Sequence, residues 1–285
     1  ICCRCVEKQL IYMSIPFDAT ASTKPKSFAW RGVELPSVWQ VDKLRMRRVL
    51  VGHAWKVTCV AWHYDSTCLV GADQSGNVVL WDAKKKVKLQ YLNKAFVMAA
   101  AMSPDPDKCL TALGGLDNLI TLCDMSPPEL GTTSPPKDLE GHDSSITSLC
   151  FTTMDTLVSA SGDCEIRVWD VQSARARLVI SGHERDAVSL SFARDTPAGP
   201  TFASSSLDRT VRLWDMRTGK ATHVFQADSE VNACCMFPNG TAVAAGCSDG
   251  SITAFDVRSQ QCVQQASSDK QACTGIQFSP SGRAL

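Results

Sequence analysis

Histidine, serine and aspartate occur together twice in this chain, as His142, Ser161 and Asp163 and as His183, Ser206 and Asp208, each set followed by a tryptophan, Trp169 or Trp214. These types are the equipment of acyl-transfer hydrolysis, in which a serine attacks, a histidine takes its proton and an aspartate orients the histidine. The surrounding sequence argues against that use. No strand-turn-helix nucleophile elbow, no glycine-rich phosphate loop ending in Lys-Ser or Lys-Thr and no metal-ligand spacing is read in it. The same residues also make a structural chain: an aspartate in a turn accepts from backbone amides and an imidazole, and a hydroxyl and an indole N–H complete the set. The expectation is therefore a non-enzyme with no cofactor and no metal, whose tetrads staple the fold.

The elements that must position these residues repeat. Apolar runs close on Val79-Leu80-Trp81-Asp82, Thr121-Leu122-Cys123-Asp124, Arg167-Val168-Trp169-Asp170, Arg212-Leu213-Trp214-Asp215 and Thr253-Ala254-Phe255-Asp256, so the closing aspartate recurs at intervals of 42, 46, 45 and 41 residues. Gly52-His53, Gly141-His142 and Gly182-His183 precede three of these endings. Between the markers lie strand-like runs such as Val57–Trp62, Ile146–Phe151 and Val188–Phe192, separated by turns such as Pro238-Asn239-Gly240. Spacing and order match the WD40 signature. One four-stranded blade cannot bury both its faces, so blades must stack around an axis. The fold class expected is all-β, a WD40 β-propeller of about five complete four-stranded blades plus the start of a sixth near Cys273–Phe278. It would occupy residues 41–285, behind an irregular or disordered segment 1–40. The blades around Ile146–Asp170 and Val188–Asp215 carry complete tetrads and are expected to be the most rigid. Elsewhere the set decays: Ser75 stands where aspartate is expected before Trp81, and Cys247 and Phe255 replace hydroxyl and indole.

Lys+Arg and Asp+Glu are equal at 29 each, so no global field draws the chain to nucleic acid. No run of apolar residues is long enough to insert in a bilayer, and the N-terminus lacks a signal-peptide layout. Of the fourteen cysteines, Cys59, Cys150, Cys234 and Cys247 lie in apolar runs, where cysteine behaves as a small buried hydrophobe; a reducing, cytoplasmic setting is expected. Cys2, Cys3 and Cys5 invite lipidation or half a metal site, but no second cluster completes four ligands. Starting at Ile1 and stopping just after Ser281-Gly282, the chain is expected to be a piece of a longer product, with Met13 a candidate true start.

Further tracts are more specific. Lys43-Leu44-Arg45-Met46-Arg47-Arg48-Val49-Leu50-Val51-Gly52-His53, Leu113-Gly114-Gly115-Leu116-Asp117-Asn118, Leu139-Glu140-Gly141-His142, Ser159-Ala160-Ser161-Gly162-Asp163 and Phe237-Pro238-Asn239-Gly240 resemble heterotrimeric G protein β subunits, from about Val41 onward. The resemblance implies seven blades and a scaffold for receptor-coupled signalling. One end of its propeller would bind the α subunit and effectors, with receptors as further partners, and it would sit in the cytoplasm or peripherally at the plasma membrane. On this chain the matching positions are Lys56, Phe96, Met98, Leu116, Asn118, Asp186, Glu230 and Asn232, with Phe96 where the family has tryptophan and Glu230 where it has aspartate. Thr58 and Ser145 stand where the family has tyrosine, and Val188 where it has methionine. The same residues read otherwise as blade packing for Phe96 and Met98 and as solvated loop charges for Lys56 and Asp186. Family members begin with a helix that pairs with a γ subunit, yet no heptad pattern is readable here. Residues 1–40 carry Pro16, Pro25 and Pro36, and only Cys5–Met13 looks helical. The strand Met46–Val51, which in the family completes the last blade, is expected to lose its partner. The alternative function is another WD40 scaffold, a ubiquitin-ligase substrate receptor or a ribosome- or kinase-associated adaptor.

Overall fold

The computed structural model describes residues 2–6, 9–14, 29–30, 33–34, 45–82, 87–94, 96–105, 109–125, 135–193, 201–267 and 271–278. Among them are five four-stranded antiparallel sheets, each in simple chain order. Blade one is Val57–Trp62, Cys68–Asp73, Asn77–Asp82 and Val87–Asn93. Blade two is Val97–Met102, Leu110–Gly115, Ile120–Asp124 and Lys137–Leu139. Blade three is Ile146–Phe151, Thr156–Ser161, Glu165–Asp170 and Arg175–Ser181. Blade four is Ala187–Phe192, Thr201–Ser206, Thr210–Asp215 and Ala221–Gln226. Blade five is Val231–Met236, Ala242–Cys247, Ser251–Asp256 and Gln261–Ser267.

First strands of successive blades pack side by side. Second strands are buried almost throughout, Ala242–Cys247 at every position, because neighbouring blades cover both faces of each sheet. That is why apolar and small residues, alanine, glycine and serine among them, fill successive positions there instead of alternating with charged ones. The core is accordingly divided into layers between blades. Val70, Ala72, Leu80, Val97 and Leu113 fill the space between blades one and two, Ile120, Ile146, Leu157 and Trp169 that between two and three. Val158, Ile166, Ala187 and Phe202 fill the next, and Val211, Leu213, Val231 and Val243 the one after it. The segment 271–278 continues the series: Phe278 packs edge-on to Phe237 at 5.2 Å, beside Ala242 and Ala244. Cys59 and Cys150, expected to be buried, are only half-buried, since first strands are covered less fully than second ones.

The N-terminal segment differs from the irregular stretch expected over 1–40. Cys2–Val6 and Gln9–Ser14 are strands, including most of the stretch that looked helical, and with Arg45–Val51 they form a three-stranded sheet. Gln9 pairs with Val51 and Leu10 with Leu50, so the strand expected to lose its partner has one. An unpaired strand edge recruits any chain within reach, here the segment nearest in sequence. Leu50 then joins Val57, Leu69, Val79 and Trp81 in a layer against blade one. A short pairing of Ala29–Trp30 with Val33–Glu34 also falls within 1–40. Pro16, Pro25 and Pro36 lie outside the described residues.

Candidate partner-binding surface

The two tetrads form as connected chains, with one member changed. In blade three Trp169 Nε1–H donates to Ser159 Oγ at 2.8 Å, Ser159 Oγ lies 2.7 Å from His142 Nε2, and His142 Nδ1 lies 2.7 Å from Asp163 Oδ2. Blade four repeats this with Trp214, Ser204, His183 and Asp208 at 2.7, 2.6 and 2.9 Å. With a carboxylate facing Nδ1, that nitrogen carries the ring proton, so the serine hydroxyl donates to Nε2. Burial keeps His183 on the neutral side, below its ordinary value, against the opposing pull of Asp208.

Ser161 and Ser206, the hydroxyls expected in these chains, lie two residues further along. Ser161 Oγ donates to the Ser144 carbonyl at 3.1 Å and accepts from Asp163 N at 3.3 Å, and Ser206 does the same with Arg185 and Asp208 at 3.0 Å each. Residues i and i+2 share one face of a strand, so the pattern alone does not separate the two serines. Depth along the strand does: Trp169 pairs opposite Leu157, which brings its indole to Ser159 and not to the strand end.

The order serine, histidine, aspartate is that of a hydrolytic triad, but Ser159 and Ser204 are fully buried, so no substrate carbonyl reaches them. Gly246-Cys247-Ser248-Asp249-Gly250 spells Gly-x-Ser-x-Gly, yet it is the turn between two strands of blade five and leads into no helix. Glycine before each tetrad histidine has a steric reason. A Cβ on Gly182 would stand 2.8 Å from the tip of the Trp214 indole, and one on Gly141 would run into the Arg167 guanidinium.

The other blades solve the same problem differently. In blade two Lys94 Nζ takes the place of the imidazole, 3.0 Å from the Leu113 and Leu119 carbonyls and 3.5 Å from Asp117. Burial lowers its pKa while Asp117 opposes the shift. No motif pointed to this lysine. In blade five Ala245 stands at the serine position, not Cys247, and with Ala227 and Phe255 three of the four places are apolar, Phe255 stacking on Phe225 at 5.1 Å, while Asp249 turns to Ser251, accepting from its N and Oγ at 2.8 and 2.6 Å. Removing the three partners together leaves none of them buried and unsatisfied.

Blade one is caught between these solutions. His53 Nδ1 bonds to the fully buried Asp73 at 3.1 Å, but Gly71 occupies the serine position and His53 Nε2 has no hydrogen-bond partner. Gly71 pairs opposite Val79 as Ser159 pairs opposite Arg167. Gly71→Ser is therefore expected to stabilise the protein by about 1 kcal/mol, the net value of a buried hydrogen bond. Thermal unfolding checks this, and a fall in Tm would show that the hydroxyl does not find the ring.

The tetrads lie directly beneath one rim of the blades. Lys56, Phe96, Ser145, Asp186 and Glu230 are the same position in five blades, the residue just before the first strand. In each, the carbonyl accepts from the turn that joins the second and third strands: Gln74 N to Lys56 O at 2.9 Å, Leu116 N to Phe96 O at 3.2 Å, Gly162 N to Ser145 O at 3.0 Å, Leu207 N to Asp186 O at 3.1 Å and Ser248 N to Glu230 O at 2.9 Å. The tetrad histidine precedes this position and the tetrad aspartate closes that turn, so the staple stiffens the rim. In blade two the rim needs glycines, because a Cβ at Gly115 would overlap the Phe96 carbonyl and one at Gly114 would press on Ile146 at 2.5 Å.

Of the eight residues expected on this surface, Lys56, Leu116 and Asp186 are exposed, Leu116 at 57%. Phe96 and Met98 are half-buried. Three are engaged within the chain. Glu230 pairs with Arg185 at 2.6 Å, Asn118 Nδ2 donates to the Asp143 carbonyl at 3.3 Å, and Asn232 Nδ2 donates to the Cys273 carbonyl at 3.2 Å. Asn232 and Met98 share a second repeated position, a β-bulge at the second residue of each first strand. There polar side chains stitch blade to blade: Thr58 reaches the Val97 carbonyl at 2.7 Å, Thr147 the Ala187 carbonyl at 2.5 Å and Asn232 that of Cys273. Met98 and Val188, at the same position, carry no hydroxyl or amide to do so. Trp55, 58% exposed beside Lys56, was not singled out by the sequence. Its signal was an aromatic directly after Gly-His-Ala, where solvent exposure of a large ring is unusual outside binding surfaces.

Among known proteins, the family described as WD domain, G-beta repeat matches residues 44–82, 133–170 and 175–215. That described as anaphase-promoting complex subunit 4 WD40 domain matches residues 212–281. The guanine nucleotide-binding protein subunit beta-5b of Danio rerio is 32% identical over 250 residues, a stretch that covers 85% of this chain and 62% of the relative. The chain thus spans 62% of the length of that curated relative.

Proposed function

This chain is a G-beta-like WD40-repeat protein, and from that premise we propose that it is a non-catalytic scaffold that binds a G protein α subunit and its effectors with the rim around Phe96 and Leu116. The observation that carries the reading is the rim itself, one equivalent residue per blade tied by the same backbone hydrogen bond and backed by a tetrad or its substitute. Rigid presentation lowers the ordering cost of binding. The rim carries exposed Trp55 and Leu116 and half-buried Phe96, with Lys56 next to Trp55 in the chain and Asp186 at the equivalent position of blade four, the mixture of aromatic, aliphatic and charged groups that makes a binding hot spot. Glu230, Asn118 and Asn232 contribute by shaping the rim, since their polar atoms are occupied. Binding there makes α subunit and effectors mutually exclusive.

The test is calorimetric titration with a GDP-bound G protein α subunit. Phe96→Ala combined with Leu116→Ala is expected to weaken binding by about 2–3 kcal/mol, roughly 30- to 150-fold in Kd, with the fold intact by circular dichroism. No heat of binding with the parent chain rejects the α subunit as partner. A second reading, a scaffold in a different assembly, is favoured by the match of residues 212–281 to the other WD40 family and by Thr58, whose hydroxyl is spent on the Val97 carbonyl. Co-purification with other partners and no α subunit supports that alternative. Among the described residues no helix is long and apolar enough to cross a membrane, and the proposed site of action is cytoplasmic, at the membrane only through partners. The rim leaves the place of a γ subunit unassigned.

A further inference from the structure

At the opposite end of the blades, Cys68 opens the second strand of blade one and Cys109 directly precedes the second strand of blade two. Both pack on the same interblade layer, beside Val70 and Met102. Their thiols are hydrogen-bonded to each other. Each is half-buried, open enough for a small oxidant and covered enough to hold one orientation. Near them the buried His63 links the two blades, with Nδ1 2.7 Å from Asp65 Oδ1 and Nε2 3.1 Å from the Asp105 carbonyl.

We propose that Cys68 and Cys109 form a redox modification site, a dithiol that hydrogen peroxide converts reversibly to a disulfide clamping blade one to blade two. Cys262, by contrast, is exposed, and its thiol donates to the Gln264 carbonyl at 3.8 Å. Cys68 is the attacking sulfur. The hydrogen bond from Cys109, working against burial, holds its thiol at about 6, and it pushes Cys109 up. Thr67 Oγ1 lies 3.6 Å from Cys68 Sγ but 2.8 Å from both Asp65 oxygens, so its single proton serves the carboxylate and Cys109 is the donor on which Cys68 depends.

The step balances. The Cys68 thiolate attacks one peroxide oxygen, the O–O bond breaks, and hydroxide leaves and takes up a proton as water. Cys109 sulfur then attacks the resulting sulfenic acid, its own proton leaving, and the S–O bond breaks to release a second water. Two thiols are oxidised by two electrons and one peroxide is reduced. The proposal does not depend on the partner assigned to the rim.

The full chain is treated with hydrogen peroxide, blocked with N-ethylmaleimide and mapped by mass spectrometry without reduction. The expected product joins the Cys68 and Cys109 peptides with loss of two hydrogens, is reopened by dithiothreitol, and raises Tm by about 5 °C through the closed loop. Cys68→Ser and Cys109→Ser each abolish the link and the rise. Should a variant fail to fold, the map of the parent chain decides. Peroxide that oxidises Cys262 while Cys68 and Cys109 are recovered as maleimide adducts overturns the proposal, as does a link from either to any other cysteine.

Discussion

Cutting Trp169 back to alanine is expected to lower the stability of the protein by about 3–5 kcal/mol, the range for emptying a buried aromatic site. Its side chain is 1% exposed and fills the layer between blades two and three with Ile120, Ile146 and Leu157. Alanine there leaves a cavity bounded by two sheets that cannot collapse on one another without disturbing the strand pairing of both. It also removes the indole donor from Ser159, the hydroxyl that joins the chain to His142 and Asp163. Phenylalanine separates these losses. It keeps most of the packing, so Trp169→Phe should cost about 1–2 kcal/mol, chiefly the broken buried hydrogen bond. Blade five tolerates Phe255 in this place because Ala245 leaves no serine to satisfy. Guanidinium unfolding followed by circular dichroism measures both variants. Equal losses for alanine and phenylalanine would mean that the hydrogen bond, and not the packing, holds the blade.

Acid is expected to undo the same staples. Asp163 and Asp208 are each held at about 2 against an ordinary 3.8: burial works to raise them, but His142 and the Glu165 and Asp143 amides outweigh it at Asp163, as Thr210 and His183 do at Asp208. Folding therefore favours the ionised forms. Their contribution is fully present above the unfolded value near 3.8 and is lost as pH falls through the folded value near 2. A depression of this size is worth roughly 2 kcal/mol per group, so about 4–5 kcal/mol is at stake for the pair. Both side chains are well shielded, at 10% and 4% exposure, so solvent screens little of it. Unfolding midpoints measured from neutral pH downward should fall steeply only in this window. Asp163→Asn with Asp208→Asn should be weaker at neutral pH and flatter in acid; an unchanged acid slope would place the sensitivity elsewhere.

The architecture was legible from local pattern. The interval of the closing aspartates, the Gly-His markers and the turn chemistry are local, and a blade is a local meander, so five sheets could be counted before any contact was known. Histidine, aspartate and tryptophan of each tetrad were legible for the same reason, each being tied to a turn or a strand end. What tertiary structure decided are contacts between strands and between blades. Ser159 and Ser161 share a strand face, and only the depth at which Trp169 crosses selects the first. Lys94 replaces an imidazole without resembling one. Asn232 matches a partner-binding residue by type, but spends its amide on the carbonyl of the next strand. The N-terminal strands read as irregular because their order comes from the open edge of Arg45–Val51, which no local pattern announces. Cys68 and Cys109 meet for the same physical reason. Neighbouring blades bring equivalent ends of the repeat together, and sequence periodicity states that the ends are equivalent without stating which side chains face across the gap.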